Sequence, residues 1–352
     1  MSALRKLKRA LLATGGFGTS GLIARSRWRQ QRLMILCYHG ISMGQEHGSY
    51  PEMFMQPATF ERRMEILAQS GCRVLGLGEA LRLLERGKLP PRSVALTFDD
   101  GWADFRVNAF PILQKYQFPA TVYLTTYYVL FNRPLFRFAL THMMWAMRTK
   151  VVDNHDFPYL PPQLDLRGGV DRARIMQAIG DYAKQQNYSG QQKDELACKF
   201  AAMIGFDYSS FCKERLFQLM IPEEVAEVAK AGVDIQLHTH RHRTPLNREQ
   251  FIGEVEQNRR LINEIAGPAE RVHFCYPSGA VRDEYIPWLR QAGVQSGTTC
   301  DNGMTDRNMD RFRLPRLLDQ FALIDDEFES WLSGLAVFLP KRKNVFPDIA
   351  PE

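Results

Sequence analysis

A chain of 352 residues with 45% hydrophobic and 24% charged side chains is globular and long enough for about two domains or one elaborated α/β barrel. No apolar run reaches the roughly 18 to 20 residues that a membrane-spanning helix needs. The net charge of +6 belongs to one segment: residues 1 to 32 hold eight Lys or Arg and no acid, which leaves 37 basic against 39 acidic residues, or −2, in the remainder.

Within that basic leader, 1–32, Leu4, Leu7, Leu11 and Leu12 share one helical face with cations beside them, the pattern of a helix lying on an anionic membrane surface. A plain solvated extension and a signal or anchor segment are the other readings. Gly15, Gly16, Gly18 and Gly21 interrupt the stretch, however, and no A-x-A-like cleavage site follows. Nucleic-acid binding is not expected, because the cations have little aromatic interleaving and the body is near neutral. Six cysteines without a C-x-x-C pair point to a reduced compartment. The expectation is a cytoplasmic protein, peripheral at the inner membrane face.

Arg32 to Tyr38 is a continuous apolar run of the kind buried in parallel sheets, and it delivers His39 to the rim. A Met-rich loop runs to about Pro57. Phe60, Met64, Leu67 and Ala68 then give a helical face stopped by Gly71, Arg73 to Leu77 predicts a short strand, and Glu79 to Glu85 a helix. From Ser93 the strand residues Val94 to Thr97 run into Asp99 and Asp100, and Gly101 permits a sharp turn. Two ionised carboxylates this close raise each other's pKa unless a cation or proton lies between them. That suggests one Asp on a metal and the other free to take a proton. An ordinary Asp-Gly turn is the competing reading.

Phe110, Leu113 and Tyr116 mark a further helix and Ala120 to Leu124 a third strand, so the alternation argues for parallel β/α construction with its chemistry at the C-terminal strand ends. From 131 to 218 the rhythm lapses into a mainly helical insertion, with helices over Phe138–Met147 and Arg172–Gln186, a loop over Asp153–Gly169, and His142 and His155 as structural or surface residues. After a helix at Pro222–Ala231, Val233 to Leu237 alternates like a strand and ends in His238-Thr239-His240-Arg241-His242. His238 and His242 are spaced so that two imidazoles meet one ion if the chain turns helically there; His240 is not expected to join them.

An amphipathic helix spans Asn247 to Ile265, and Val272 to Gly279 is a strand entering a tight turn. Tyr285–Ala292 is a helix and Val294–Thr299 a strand. Arg311 and Arg313 read as surface cations, whereas Arg316, after Pro315, is expected to point inward. Phe328 to Leu339 forms a closing helix, and 341–352 a loose tail.

With Thr97-Phe98-Asp99-Asp100-Gly101, His238-x-x-x-His242 and Tyr276-Pro277-Ser278-Gly279 in that order, the chain resembles the polysaccharide deacetylases, the NodB-homology carbohydrate esterases, from about Leu33 to Leu317. The resemblance implies an α/β fold, a distorted (β/α) barrel built from 33–130 and 219–340 and interrupted by the insertion 131–218. It also implies one divalent metal ion, usually zinc, at the strand ends. In the family pattern the first Asp is the general base, here Asp99, and the second Asp with two histidines holds the ion, here Asp100, His238 and His242. A backbone N–H in the Tyr276 to Gly279 turn, that of Ser278, would help the metal hold the oxyanion.

Two departures stand out. Cys275 occupies the place of the family's usual arginine in the third motif, and Arg316 is the candidate for the arginine function. No histidine follows His273, so the acid histidine of the usual C-terminal motif is missing. Circularly permuted relatives carry that acid on an N-terminal strand ending in Tyr-His, which Tyr38-His39 resembles, so His39 is the expected general acid and His273 the runner-up. The implied reaction is removal of N-acetyl groups from amino sugars of a polysaccharide or a lipid-linked glycan. Deacylation of another small group such as formyl, or a catalytically silent carbohydrate-binding scaffold, are the alternatives.

Overall fold

A computed structural model of the chain describes residues 19–338; the leucine face at Leu4 to Leu12 and the tail 341–352 lie outside the described residues. Eight strands form one curled sheet: β1 (Met34–Tyr38), β2 (Arg73–Val74), β3 (Ser93–Asp100), β4 (Ala120–Leu124), β5 (Asp234–Leu237), β6 (His273–Cys275), β7 (Ser296–Thr298) and β8 (Leu317–Leu318). Their order is β7-β6-β5-β4-β3-β1-β8, with β2 beside β3, and every pairing is parallel. The segment leading into β8 closes the ring, because Leu314 bridges Thr298 while Leu317 pairs with Leu36. The result is a distorted (β/α) barrel.

Successive side chains of a strand point to opposite faces. Leu33, Ile35, Ala95, Tyr123, Cys275 and Leu314 accordingly fill a small inner core. Met34, Leu36, Val94, Leu96, Phe98, Val122, Ile235 and Leu237 join the large core beneath the helices. The register aligns Tyr38 with Phe98, Phe98 with Val122 and Val122 with Ile235, so the strands end nearly level. This puts His39 beside Asp99, and it brings Asp100, opposite Leu124, to the edge where His238 leaves β5.

The short strand predicted at Arg73–Leu77 is only Arg73–Val74, since Leu77 already opens a helix, Leu77–Glu85. Between residues 131 and 218, helices cover Phe136–Ala146, Gly169–Gln185, Gly190–Ile204 and Tyr208–Lys213. The loop expected over Asp153–Gly169 is in part an antiparallel hairpin, Val151–Asp153 with Gln163–Asp165. Its connection is drawn tight by Asn154, whose Nδ2 donates to the carbonyls of Phe157, Leu160 and Pro161, a side-chain device invisible to strand propensity. The segment 131–218 shares the main core: Phe138 and Phe217 pack on Tyr50 and Trp102. Its exit passes beneath the two carboxylates, where Ala103 N–H donates to Gln218 O and Met220 N–H to Gly101 O, both at 2.9 Å. Among the described residues no helix is long and apolar enough to cross a membrane.

Candidate active site

At the top of β3 the alternation sends Asp99 inward, toward Cys37, Cys275 and Arg316. Asp100 breaks that alternation with φ 72°, and Gly101 follows at φ 90°. A Cβ on Gly101 would overlap the side chain of Leu124, so the turn demands glycine twice over. Thr239, His242 and Ser278 also take left-handed backbone, at φ 61°, 51° and 53°. Strain of this kind persists where surrounding contacts hold it, and four of the nine non-glycine residues with positive φ among the described residues, Asp100, Thr239, His242 and Ser278, line or adjoin one cleft. The cleft is lined by His39, Asp99, Asp100, His238, His242 and Ser278, with Met53, Tyr276 and Cys300 as its less polar walls.

Asp100 Oδ1 lies 3.2 Å from His238 Nε2 and 3.3 Å from His242 Nε2. Neither approach has hydrogen-bond geometry, and Oδ1 is a buried oxygen without a donor. The other carboxylate oxygen is held by Trp102, whose Nε1–H donates at 3.0 Å. His238 Nδ1 is 2.9 Å from Cys275 O, which fixes the ring with Nε2 facing the carboxylate. Three donor atoms, two nitrogens and an oxygen, thus converge within 4.8 Å of one another. This set suits a divalent cation such as zinc, and the orphaned Oδ1 is what such an ion would satisfy. Burial opposes charge on Asp100, but the adjoining imidazoles prevail and hold its carboxyl well below the usual range. Burial likewise disfavours charge on His238, yet Cys275, Asp100 and Asp99 raise it well above an ordinary imidazole. The same negative field attracts a cation, whose binding displaces the proton.

Asp99 meets a different partner. Arg316, fully buried, binds it fork to fork, Nη1 to Oδ1 and Nη2 to Oδ2, each at 2.7 Å. Its Nε–H donates to Thr299 O at 2.9 Å, which fixes the plane of the guanidinium. Cys275 Sγ sits 3.1 Å from Nη2 and 3.4 Å from Asp99 Oδ2, so a small thiol adjoins the ion pair formed by an arginine from further along the chain. Burial alone would raise the Asp99 carboxyl; the guanidinium overcomes it and lowers it to about 2. His39 Nε2 stands 3.9 Å from Asp99 Oδ2. Burial pushes this imidazole below its ordinary value, against the pull of Asp99 and Asp100.

All seven residues singled out in the sequence, His39, Asp99, Asp100, His238, His242, Ser278 and Arg316, therefore meet at one cleft or at its buried ion pair. His273 does not: it lies two residues down β6, bonded through Nδ1 to Ser296 Oγ and set against Gly78. His240 turns its Nδ1 to Thr126 Oγ1 at 2.9 Å. One local expectation needs correction. The chain between His238 and His242 makes no helical turn; the positive φ of Thr239 and of His242 folds it into a loop that aims both rings at Asp100.

The side chains that hold that loop escaped the sequence reading. On the helix Arg248–Ala266, Asn258 accepts from His238 N–H at 3.0 Å and donates to Leu124 O at 2.9 Å, tying the ends of β4 and β5 together. Glu254, one turn earlier, accepts from Arg241 N–H at 2.8 Å and from Arg243 Nε at 2.7 Å. The signal was present: Glu254 and Asn258 lie four apart among Phe251, Val255 and Ile262, polar residues on the buried face of an amphipathic helix.

Comparison with known proteins points one way. The profile of the family described as polysaccharide deacetylase matches residues 86–155 and 177–297, more than half of the chain. YxkH of Bacillus subtilis (strain 168) is 35% identical over 94 residues, 26% of this chain and 32% of that protein. The poly-β-1,6-N-acetyl-D-glucosamine N-deacetylase of Staphylococcus epidermidis is 39% identical over 70 residues, 20% of this chain and 24% of the relative. The matched stretches thus span a third or less of these relatives' length. Among solved structures, the Streptococcus pyogenes deacetylase PplD in complex with acetate aligns with a TM-score of 0.55 at 17% identity, covering 84% of this chain and 96% of that one. IcaB from Ammonifex degensii aligns with a TM-score of 0.52 at 17% identity, over 86% and 97%. At these identities the likeness is one of fold.

Proposed function

The chain belongs to the polysaccharide deacetylase family, and from that membership we propose that it is a metal-dependent hydrolase that removes N-acetyl groups from the amino sugars of a polysaccharide. The observation that carries this reading is the buried, donorless Oδ1 of Asp100 facing two imidazoles, next to an Asp99 already neutralised by Arg316. The name of the staphylococcal relative makes poly-β-1,6-N-acetylglucosamine the first substrate to test.

A divalent cation held by Asp100, His238 and His242 would supply Lewis acidity, lowering the pKa of water and polarising an amide carbonyl. The remaining roles fall to side chains and backbone. Asp99, ionised and oriented by Arg316, accepts the proton of the attacking water. The turn at Tyr276 to Ala280 has the N–H of Gly279 and of Ala280 bonded back to Tyr276 O and Pro277 O, and it presents Ser278 to the cleft as the oxyanion donor. His39 donates to the departing amine. Because burial keeps it neutral at rest, the proton it delivers is the one Asp99 has taken, across the 3.9 Å between them. One water is consumed, acetate leaves, and the sugar amine is freed.

The test is product analysis with the zinc-loaded protein on a panel of N-acetylhexosamine oligomers, lipid-linked sugars and N-formyl analogues. The reading expects zinc-dependent acetate from the β-1,6-linked oligomers. Formate in place of acetate, or glycan binding without turnover or bound metal, contradicts it.

A further inference from the structure

His39 stands between two anchored stretches of backbone. Before it, β1 ends at Tyr38, in register with Phe98 of β3. After it, the two-residue strand Gly40–Ile41 pairs in parallel with Phe54–Met55. Gly40 N–H donates to Met53 O at 3.0 Å and Ser42 N–H to Met55 O at 2.9 Å, so this partner serves residues 40 and 42. Strand geometry turns the N–H and C=O of Ile41 the other way. Ile41 is fully buried, where an unpaired backbone group is costly.

Two side chains stand where a further strand would. Asp104 Oδ1 accepts from Ile41 N–H at 2.9 Å. Asn108 Nδ2 donates to Ile41 O and to Ser42 O, each at 2.9 Å. Both belong to the segment that follows the Asp99-Asp100-Gly101 turn: Asp104 immediately precedes a π-helical stretch, Phe105–Ala109, that runs into the helix Phe110–Tyr116. Wide turns of this kind are frequent at functional sites. Gly40 is pressed against the same carboxyl, and a Cβ there would overlap the Phe54 ring and come within 2.8 Å of Asp104 Oδ2. Asp104 is 2% exposed, and burial, with Glu46 and Asp100 nearby, pushes its carboxyl well above the usual range. It serves Ile41 as a neutral acceptor, a service that an amide oxygen can also give.

We propose that Asp104 and Asn108 are positioning residues for His39: they tie the backbone that follows it to the strand-and-helix segment that carries Asp99, and so set the separation of the two groups between which the proton passes. The inference rests on the reading of His39 as donor to the departing amine. His39 Nε2 stands 3.9 Å from Asp99 Oδ2, and a displacement of about 1 Å in such a pair can cost about 10²-fold in rate. Asp104 and Asn108 lie outside the lining of the cleft and act through His39.

The test is steady-state acetate release by the zinc-loaded protein from β-1,6-linked N-acetylglucosamine oligomers, with zinc content measured for each variant. Asp104→Ala should lower kcat about tenfold to a hundredfold with KM and zinc content little changed. Asp104→Asn, which keeps the acceptor, should recover most of that loss. Asn108→Asp, an isosteric change at a half-buried position, sets an acceptor against two carbonyls and should lower kcat with the fold kept. In a His39→Gln background Asp104→Ala should cost nothing further, because its effect passes through the missing imidazole. A crystal structure of Asp104→Ala, or of Asn108→Asp where the first does not fold, should show the His39 ring displaced from Asp99. Wild-type kcat in both variants, losses additive with His39→Gln, Asp104→Asn no better than Asp104→Ala, or an unmoved ring would overturn the inference and leave the deacetylase reading in place. Full turnover in His39→Gln, or a wild type that releases no acetate, would remove that reading and the inference with it.

Discussion

The carboxylates of Asp99 and Asp100 are consecutive along β3, yet the first has both oxygens bound by Arg316 while the second keeps a buried oxygen without a donor. Strand alternation sends Asp99 into the barrel, and a left-handed residue turns Asp100 toward the His238 to His242 loop. The difference teaches that a pair of adjacent acids is not one functional unit. The Arg316 half is electrostatically complete and rigid, its carboxylate held ionised and oriented; under the proposed reading a cation completes the imidazole half. Substitutions on the two sides should therefore separate metal binding from proton transfer.

The largest effect is expected on the imidazole half. Asp100→Ala or His242→Ala should abolish zinc retention, read by elemental analysis, and reduce acetate release on the order of 10³-fold or more. On the other half, Asp99→Asn should reduce kcat by about 10² to 10⁴ while zinc content stays at wild type. Arg316→Lys keeps the charge but loses the fork and the bond to Thr299. It should lower kcat by about 10- to 100-fold with KM and zinc content little changed, since a misoriented base impairs proton transfer and not binding.

A substitution behind the imidazole half should be milder. Asn258→Ala leaves His238 N–H and Leu124 O without partners. It should cost about 1 to 3 kcal/mol in urea unfolding and weaken zinc about tenfold in a chelator competition. Smallest is the pH effect. Asp99 is ionised in the fold down to about 2, below the ordinary value of 3.8. The stability from its pair with Arg316 is fully present above that ordinary value and is lost as pH falls toward 2. Unfolding titrations should show this acid limb flattened in Asp99→Asn; an identical limb in both proteins would mean that the pair contributes no pH-dependent stability.

The cleft was more legible than its supports, for a physical reason. Parallel strands buried on both faces announce themselves as apolar runs, and chemistry-bearing residues sit where those runs end, so His39, Asp99, Asp100 and His238 could be read in place. Arg316 was harder, because three arginines share one short stretch and only the closure of the barrel through Leu314 and Leu317 turns that one inward. Asn258 and Glu254 are distant in sequence from the loop they hold, and a helical pattern says which residues are buried without saying what they bond. The hairpin at Val151–Asp165 depends on one asparagine bridging three carbonyls.

The most direct test of the division of labour is the zinc content of purified Asp99→Asn measured alongside its acetate release. One equivalent of zinc with acetate release near background is the result this account predicts. Loss of zinc would make Asp99 part of the metal site, and retained turnover would remove it from the chemistry; either result would contradict the assignment of one acid to the cation and the other to the proton.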